Sequence, residues 1–329
     1  MSDDSTSTSG LSLTGGVPLK SQDLAASIVF TVAFALLIPF AIWRVARRET
    51  RTWYLFGPSF VLGMRIATYI IRAVMAVQDE GEGAPVGLFI AEQILLLAGL
   101  IPLITPLVGL LRSHVRRHWI PVPPAQAGKE QKHANRLAGE GRWLQLAVLV
   151  ALVLGCVAGA KAGDAMTDVG AANELKRYRY ASIGLSIFVL GTSAIVNCVA
   201  YVRVDLPTFP TMYLNLMSGL ILIPNIYKLV VALHPPSQLG AGTKTAFYLL
   251  SALPEWLAVA LYYSLNLNST FALRETSWKD RVKGMMRKGT WPEGWEYVDE
   301  EEWERRDGGA QVEMGSRTSS GSSRWWQKA

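Results

Sequence analysis

Seven long apolar runs dominate the chain, covering residues 23–43, 53–77, 86–111, 143–162, 180–202, 208–233 and 246–266. About 20 residues rising 1.5 Å each cross the hydrocarbon core of a bilayer, so every run is long enough to span one. Barrel strands would alternate over roughly 10 residues, whereas these runs are continuously apolar and therefore predict helices. Trp43 with Arg44, Trp53 with Tyr54, and Arg142 with Trp143 stand at run ends, where aromatic and basic groups anchor helices in the interface. The pattern predicts an all-α membrane protein, a seven-transmembrane-helix bundle.

The polar segments between the runs set an expected orientation. Arg44, Arg47, Arg48 and Arg51 fill the first loop. Arg112, Arg116, Arg117, Lys129, Lys132, Arg136 and Arg142 fill the third, and Arg274, Lys279, Arg281, Lys283, Arg287 and Lys288 open the tail. The intervening loops are poorer in cations, so these three are assigned to the cytosol, with the N-terminus outside and the C-terminus inside. Four regions follow: a disordered extracellular tail at 1–22, the transmembrane domain at 23–268, an amphipathic juxtamembrane helix at 269–288, and a disordered cytosolic tail at 289–329. Phe271, Trp278, Val282 and Met285 give the juxtamembrane segment its apolar face. Pro121, Pro123 and Pro124 mark the third loop, 112–142, as a mobile linker. Residues 1–22 have no signal-peptide pattern, so the first helix serves as the targeting signal. The plasma membrane or an endomembrane is the expected location.

Composition agrees with lipid as the main solvent: half of the residues are hydrophobic and 18% are charged, with a mean hydropathy of +0.23. The formal charge of +6 lies in the loops and comes with no nucleic-acid-binding motif, so nucleic acid is excluded as a partner. Cys156 and Cys198 both fall inside apolar runs and read as packing residues rather than a disulfide. Four scattered histidines provide no metal-ligand spacing. No cofactor motif and no set of nucleophile, base and oxyanion donor can be assembled, so an enzyme is not expected. The partners expected are the lipid bilayer and an amphiphilic or anionic small molecule; a cytosolic partner of the tail is unspecified.

Candidate chemistry resides in the charges inside the runs, since each costs roughly 2.5–3.5 kcal/mol to insert and so needs a partner or a cavity. They are Arg65 and Arg72 in the second run, Glu92 in the third, Lys228 in the sixth and Glu255 in the seventh. Arg65 and Arg72 share a helical face. Counted along the helices, Arg72 and Glu92 lie at one depth and read as partners, while Glu255 falls nearer the level of Arg65. With Tyr69, Gln93 and Asn225, these residues form the candidate ligand-binding set: a polar pocket open to the outside, in which cations attract an anionic group and acids neutralise them when empty. The competing reading is a set of ion pairs that only fixes helix register. Pro102, Pro106, Pro224 and Pro254 mark places where helices can open. Arg72 and Lys228 begin similar short runs, each followed by a helix bearing an acid, which suggests a three-plus-one-plus-three repeat. Gly155, Gly159 and Gly163 form overlapping GxxxG spacings, a close helix-packing face. His114, His118 and His234 are placed at membrane edges. One sequon, Asn268-Ser269-Thr270, lies at the cytosolic end of the seventh run.

Arg65 and Arg72, Gln93 followed by Pro102, and the run from Phe247-Tyr248 to Leu253-Pro254 resemble the fungal RTA-like family of proposed lipid-translocating exporters and related fungal orphan receptor-like proteins. Where that family places acids near the helix-7 proline and after the helix-6 cation, this chain has Ser251 and Val231 or Ala232, and its acid is Glu255. The resemblance implies a transporter or membrane-stress protein for an amphiphilic or small anionic solute. An orphan seven-helix receptor is the alternative, and a non-catalytic structural membrane protein the third. Likeness to G-protein-coupled receptors is architectural only: Leu111-Arg112-Ser113 and Tyr262-Tyr263 to Asn266 stand where their signatures would be.

Overall fold

The computed structural model describes residues 20–47, 49–78, 86–117, 129–161, 168–204, 206–234, 240–271, 273, 295–298 and 324–327. Seven helices are long and apolar enough to cross a membrane: Asp23–Ala46, Trp53–Gln78, Gly87–Val115, Trp143–Ala160, Gly170–Arg203, Thr208–Leu233 and Gly242–Ser264. The chain is accordingly a polytopic membrane protein, with an all-α seven-helix bundle. The first span packs on the second and the fifth on the sixth, while the third touches the second, fifth and sixth.

The bundle is apolar on its outer face, and its buried charges are set within a largely apolar core. Along the sixth span, Met212, Leu216, Gly219, Ile223, Ile226 and Val230 are exposed. Met217, Ser218, Ile221, Asn225 and Lys228 turn inward. The two sets recur at helical spacing, so one face meets lipid and the other meets protein. Exposed apolar groups such as Phe188 and Ile195 would be a large aggregation-prone surface in water but are ordinary against acyl chains.

The first span breaks at Leu36 and Leu37, between Lys20–Ala35 and Ile38–Ala46, and two further spans have interruptions that matter for the interior. The third consists of helices Val86–Ala98 and Ile101–Arg117, separated at Gly99 and Leu100. Pro102 has no N–H to continue the hydrogen-bond ladder across the break. The seventh contains a π-helical turn, Tyr248–Ala252, immediately before Leu253–Ser264, with Pro254 in the first turn. Such turns admit an extra residue and re-aim the side chains around them. Glycine permits close approach at Gly159, where a Cβ would lie 2.6 Å from Ile94 Cγ1. A Cβ at Gly155 would lie 3.3 Å from Ser182 Oγ. These two fit the expected packing face; Gly163 lies outside the described residues.

Several expectations need correction. The third-loop residues 129–142 are helical, part of Lys129–Ala160, because Lys, Glu, Gln, Ala and Leu sustain a helix beyond the membrane. Val169–Val204 begins well before the apolar run at 180 for the same reason. Cys156 and Cys198 are exposed rather than packed inside. Phe271, expected on a membrane-surface helix, is fully buried, with its ring centroid 5.8 Å from that of His114. His114 is buried rather than interfacial, with Nε2 3.2 Å from Thr211 Oγ1. Of the expected juxtamembrane helix, residues 274–288 lie outside the described set, as does the N-terminal tail at 1–19.

The chain falls into two compact units, one of Met1–Trp119 and Arg136–Leu273 and another of Ile120–Asn135 and Arg274–Ala329. In the second unit, Trp295–Val298 and Arg324–Gln327 pair as antiparallel strands, with Trp295 opposite Gln327, in a stretch expected to be without structure.

Candidate functional site

Two groups of buried charges occupy the bundle interior. The first lies near the end where the first and seventh spans begin. Arg72 donates from Nη1 to Glu92 Oε1 at 2.5 Å, from Nη2 to Asp23 Oδ1 at 2.8 Å and from Nε to the same oxygen at 3.1 Å. Lys244 forms an ion pair with the other Asp23 oxygen, Oδ2. Tyr248 OH lies 3.1 Å from Asp23 Oδ1 and 3.0 Å from Ser27 Oγ, and the Arg72 guanidinium stands over the Phe247 ring at 4.9 Å. This cluster ties spans one, two, three and seven together, and its two cations match its two carboxylates. Asp23 also stands in the first turn of its helix, where the helix dipole favours a negative charge.

The second group lies deeper. Glu255 forms an ion pair through Oε2 with Arg65 Nε, and its Oε1 lies 3.6 Å from Lys228 Nζ. Ser251 Oγ donates to Glu255 Oε1 at 3.1 Å. The break in the third span supplies the remaining acceptors: Arg65 Nη1 donates to the Leu95 carbonyl at 3.2 Å and Lys228 Nζ to the Leu96 carbonyl at 2.8 Å. These carbonyls belong to the last turn of Val86–Ala98, where the partial negative charge of a helix C-terminus faces the two cations. Gly99 permits the approach, since a Cβ there would lie 3.0 Å from Arg65 Cζ and 2.6 Å from the Leu95 oxygen. Unlike the first group, this one has two cations for a single carboxylate.

The sequence-predicted set is therefore distributed between two places. Arg72 and Glu92 are paired at the depth expected, while Arg65, Lys228 and Glu255 form the deeper group. Tyr69 is buried and stacked between Phe30 and Phe34, with centroids 5.6 Å and 5.9 Å away. Gln93 is buried with Nε2 lacking a hydrogen-bond partner. Asn225 Nδ2 donates to its own helix at Ile221 O, 2.8 Å. Asn225 and Lys228 also line a cavity of about 10 Å³ with Arg179, Ser182 and Ser186.

Sequence reasoning missed Asp23, Lys244 and Arg179 as site residues. All three lie close to the ends of apolar runs and resemble interfacial charges, yet each is buried. Counted at 1.5 Å per residue, Asp23 and Lys244 fall at the outer ends of their runs, about 9 Å or more from the level of Glu92, so the depth count leaves them at the interface. Arg179 is revealed only by the earlier start of its helix. Among the described residues, no group of His, Cys, Asp and Glu is arranged to hold a metal ion. Compared with family models, characterised proteins and solved structures, the chain matches none. Resemblance to the RTA-like proteins thus rests on the residues quoted above alone.

Proposed function

We propose that this chain is a membrane transporter for a solute bearing an anionic group, either an amphiphile or a small anion, and that the deeper cluster receives that group. The observation carrying this reading is the charge imbalance of the interior. Among the described residues, Arg65 and Lys228 are buried against the single carboxylate of Glu255, whereas Arg72 and Lys244 are matched by Asp23 and Glu92. A network serving only to fix register gains by neutrality, because each buried charge without a counter-charge adds desolvation cost. The first cluster is balanced in this way; the deeper one is not.

In this reading the two clusters have different tasks. The balanced cluster around Arg72 holds spans one, two, three and seven together at one end. The cationic cluster binds solute, with Glu255 as the internal counter-charge that the solute's anionic group displaces from Lys228. The break at Gly99 and the π-helical turn before Pro254 are the joints about which the third and seventh spans can bend to admit it.

The test uses purified full-length protein in vesicles. A fluorescent lysophosphatidate is placed in the inner leaflet, and its appearance outside is compared with that of a lysophosphatidylcholine analogue. Faster movement of the anionic probe, slowed by Lys228→Gln and Arg65→Gln without loss of folded protein, supports the transporter. Probe movement equal to that in protein-free vesicles, together with ligand-dependent signalling in cells, would overturn it in favour of a receptor.

A further inference from the structure

The loop joining the first and second spans is held in one shape and presents two guanidiniums whose N–H groups are unspent. Arg44 is fixed, donating from Nε to the Tyr263 carbonyl at 2.9 Å and from Nη2 to the Ser264 carbonyl at 2.8 Å. Thr50 is buried and donates from Oγ1 to the Arg44 carbonyl at 2.7 Å. The Arg51 N–H donates to the Arg47 carbonyl at 2.9 Å, closing a single turn that brings Arg47 and Arg51 to adjacent positions. Asn268 holds the same loop by its Glu49 and Arg51 carbonyls. Arg47 and Arg51 are exposed, and the Arg47 guanidinium stands over the Trp43 ring at 4.5 Å. Among the described residues, neither side chain has a hydrogen-bond acceptor or an ion-pair partner. Glu49, the one acid of the loop, is itself exposed and pairs with neither.

An aromatic stripe continues from this loop along the lipid-facing side of the second span. Thr52 is extended, with φ −141° and ψ 150°, so Arg51 and Trp53 leave the chain on one side, about 7 Å apart. Trp53, Phe56 and Phe60 then recur at helical spacing, all exposed. The Trp53 and Phe56 rings stack with centroids 5.4 Å apart and planes within 5°, and Phe56 and Phe60 with centroids 6.4 Å apart and planes within 12°. Gly63 is exposed on the same face, with open space where a Cβ would stand. The rise from Trp53 to Gly63 is about 15 Å, half of a hydrocarbon core about 30 Å thick. The stripe is therefore one leaflet long, with cations at its interfacial end.

We propose that this surface binds one anionic phospholipid of the leaflet that meets the loop, with its headgroup phosphate on Arg47 and Arg51 and an acyl chain along Trp53, Phe56, Phe60 and Gly63. Charge complementarity selects the headgroup, since a guanidinium fork matches the oxygens of a phosphate. The preset loop lowers the ordering cost of binding. A free phosphate ion would meet the cations and leave the stripe unused, whereas a neutral lipid would cover the stripe and leave the guanidiniums without a counter-charge. Arg44 and Asn268 fasten the loop to the end of the seventh span, so a lipid held there stabilises the junction of spans one, two and seven by mass action. The site lies on the outer surface and requires no movement of a solute, so it stands apart from the transport reading.

The test is native mass spectrometry of the full-length protein in detergent, titrated with dioleoyl phosphatidate or dioleoyl phosphatidylcholine. The first phosphatidate should bind about tenfold more tightly than the first phosphatidylcholine, as two interfacial cations allow. Arg47→Gln with Arg51→Gln should remove most of that preference. Arg203→Gln, which loses an exposed cation at the end of the fifth span on the same side of the membrane, should keep it. Trp53→Ala with Phe56→Ala should weaken both lipids, and glycerol 3-phosphate should not displace bound phosphatidate. If the double arginine variant does not fold, Arg51→Gln alone should lose part of the preference. Equal affinity of the wild type for the two lipids, an equal loss in Arg203→Gln, or displacement by glycerol 3-phosphate would overturn the proposal.

Discussion

Replacing Arg72 with Gln should be the most damaging single change to the balanced cluster, and the way it is rescued tests the geometry. The substitution leaves Asp23 and Glu92 buried with Lys244 as the remaining cation of the cluster. Removing one partner of a buried pair costs about 3–5 kcal/mol, or roughly two to four orders of magnitude in the folded fraction at about 1.4 kcal/mol per tenfold. Adding Glu92→Gln should recover about 1–3 kcal/mol, the usual coupling for residues in one network, because Asp23 and Lys244 remain paired. Adding Asp23→Asn instead should recover less, since it separates Lys244 from its carboxylate and leaves Glu92 charged. Exchanging the two charges, Arg72→Glu with Glu92→Arg, should not restore stability, because the new carboxylate would face Asp23. Unfolding of the purified variants in mixed micelles gives the cycle directly. Additive losses, or full recovery by the exchange, would refute a cluster in which Arg72 is shared between Asp23 and Glu92.

Gly99→Ala should destabilise the bundle by about 1–3 kcal/mol by crowding Arg65 and the Leu95 carbonyl, measured by the same unfolding assay; a neutral effect would deny the close approach. Phe271→Ala should cost about 3–5 kcal/mol as a core truncation, whereas a residue lying on the membrane surface would tolerate the change. A tag before Ser2 should be accessible from outside intact cells and one after Ala329 only after permeabilisation. Asn268 should remain unglycosylated, because both its amide hydrogens are engaged, at 2.8 Å with Glu49 O and 3.1 Å with Arg51 O; a glycan there would reverse the assigned orientation.

The helices were legible because lipid demands long apolar runs, and the charged residues were legible because the same lipid makes them conspicuous. Depth counting placed Arg72 with Glu92 and Glu255 near Arg65 for the simple reason that helical rise is constant. What could not be read was which way each helix faces. In a soluble protein the outer face is polar and the core stripe stands out; here Met212 and Leu216 face outward and Met217 and Ile221 inward, and hydropathy does not separate them. Charges at run ends misled for a related reason. Lys244 and Arg179 stand where interfacial cations are ordinary, and only the packing of Asp23 against the seventh span and the early start of the fifth reveal them as buried. The break at Gly99 was foreshadowed by Pro102, but its exposed carbonyls become meaningful only once Arg65 and Lys228 are seen to meet them.

A nitroxide scan of the sixth span in vesicles tests directly whether the bundle presents an apolar face to lipid while its charges turn inward. Single labels placed in turn from 212 to 230, with Cys156 and Cys198 replaced, report collision with oxygen, which concentrates in lipid, and with a water-soluble nickel complex. Oxygen accessibility should peak at 212, 216, 219, 223, 226 and 230 and fall at 217, 221, 225 and 228, with the nickel complex excluded from the middle of the helix on its exposed face. Oxygen maxima on the face of Asn225 and Lys228, or nickel access throughout 216–226, would contradict it.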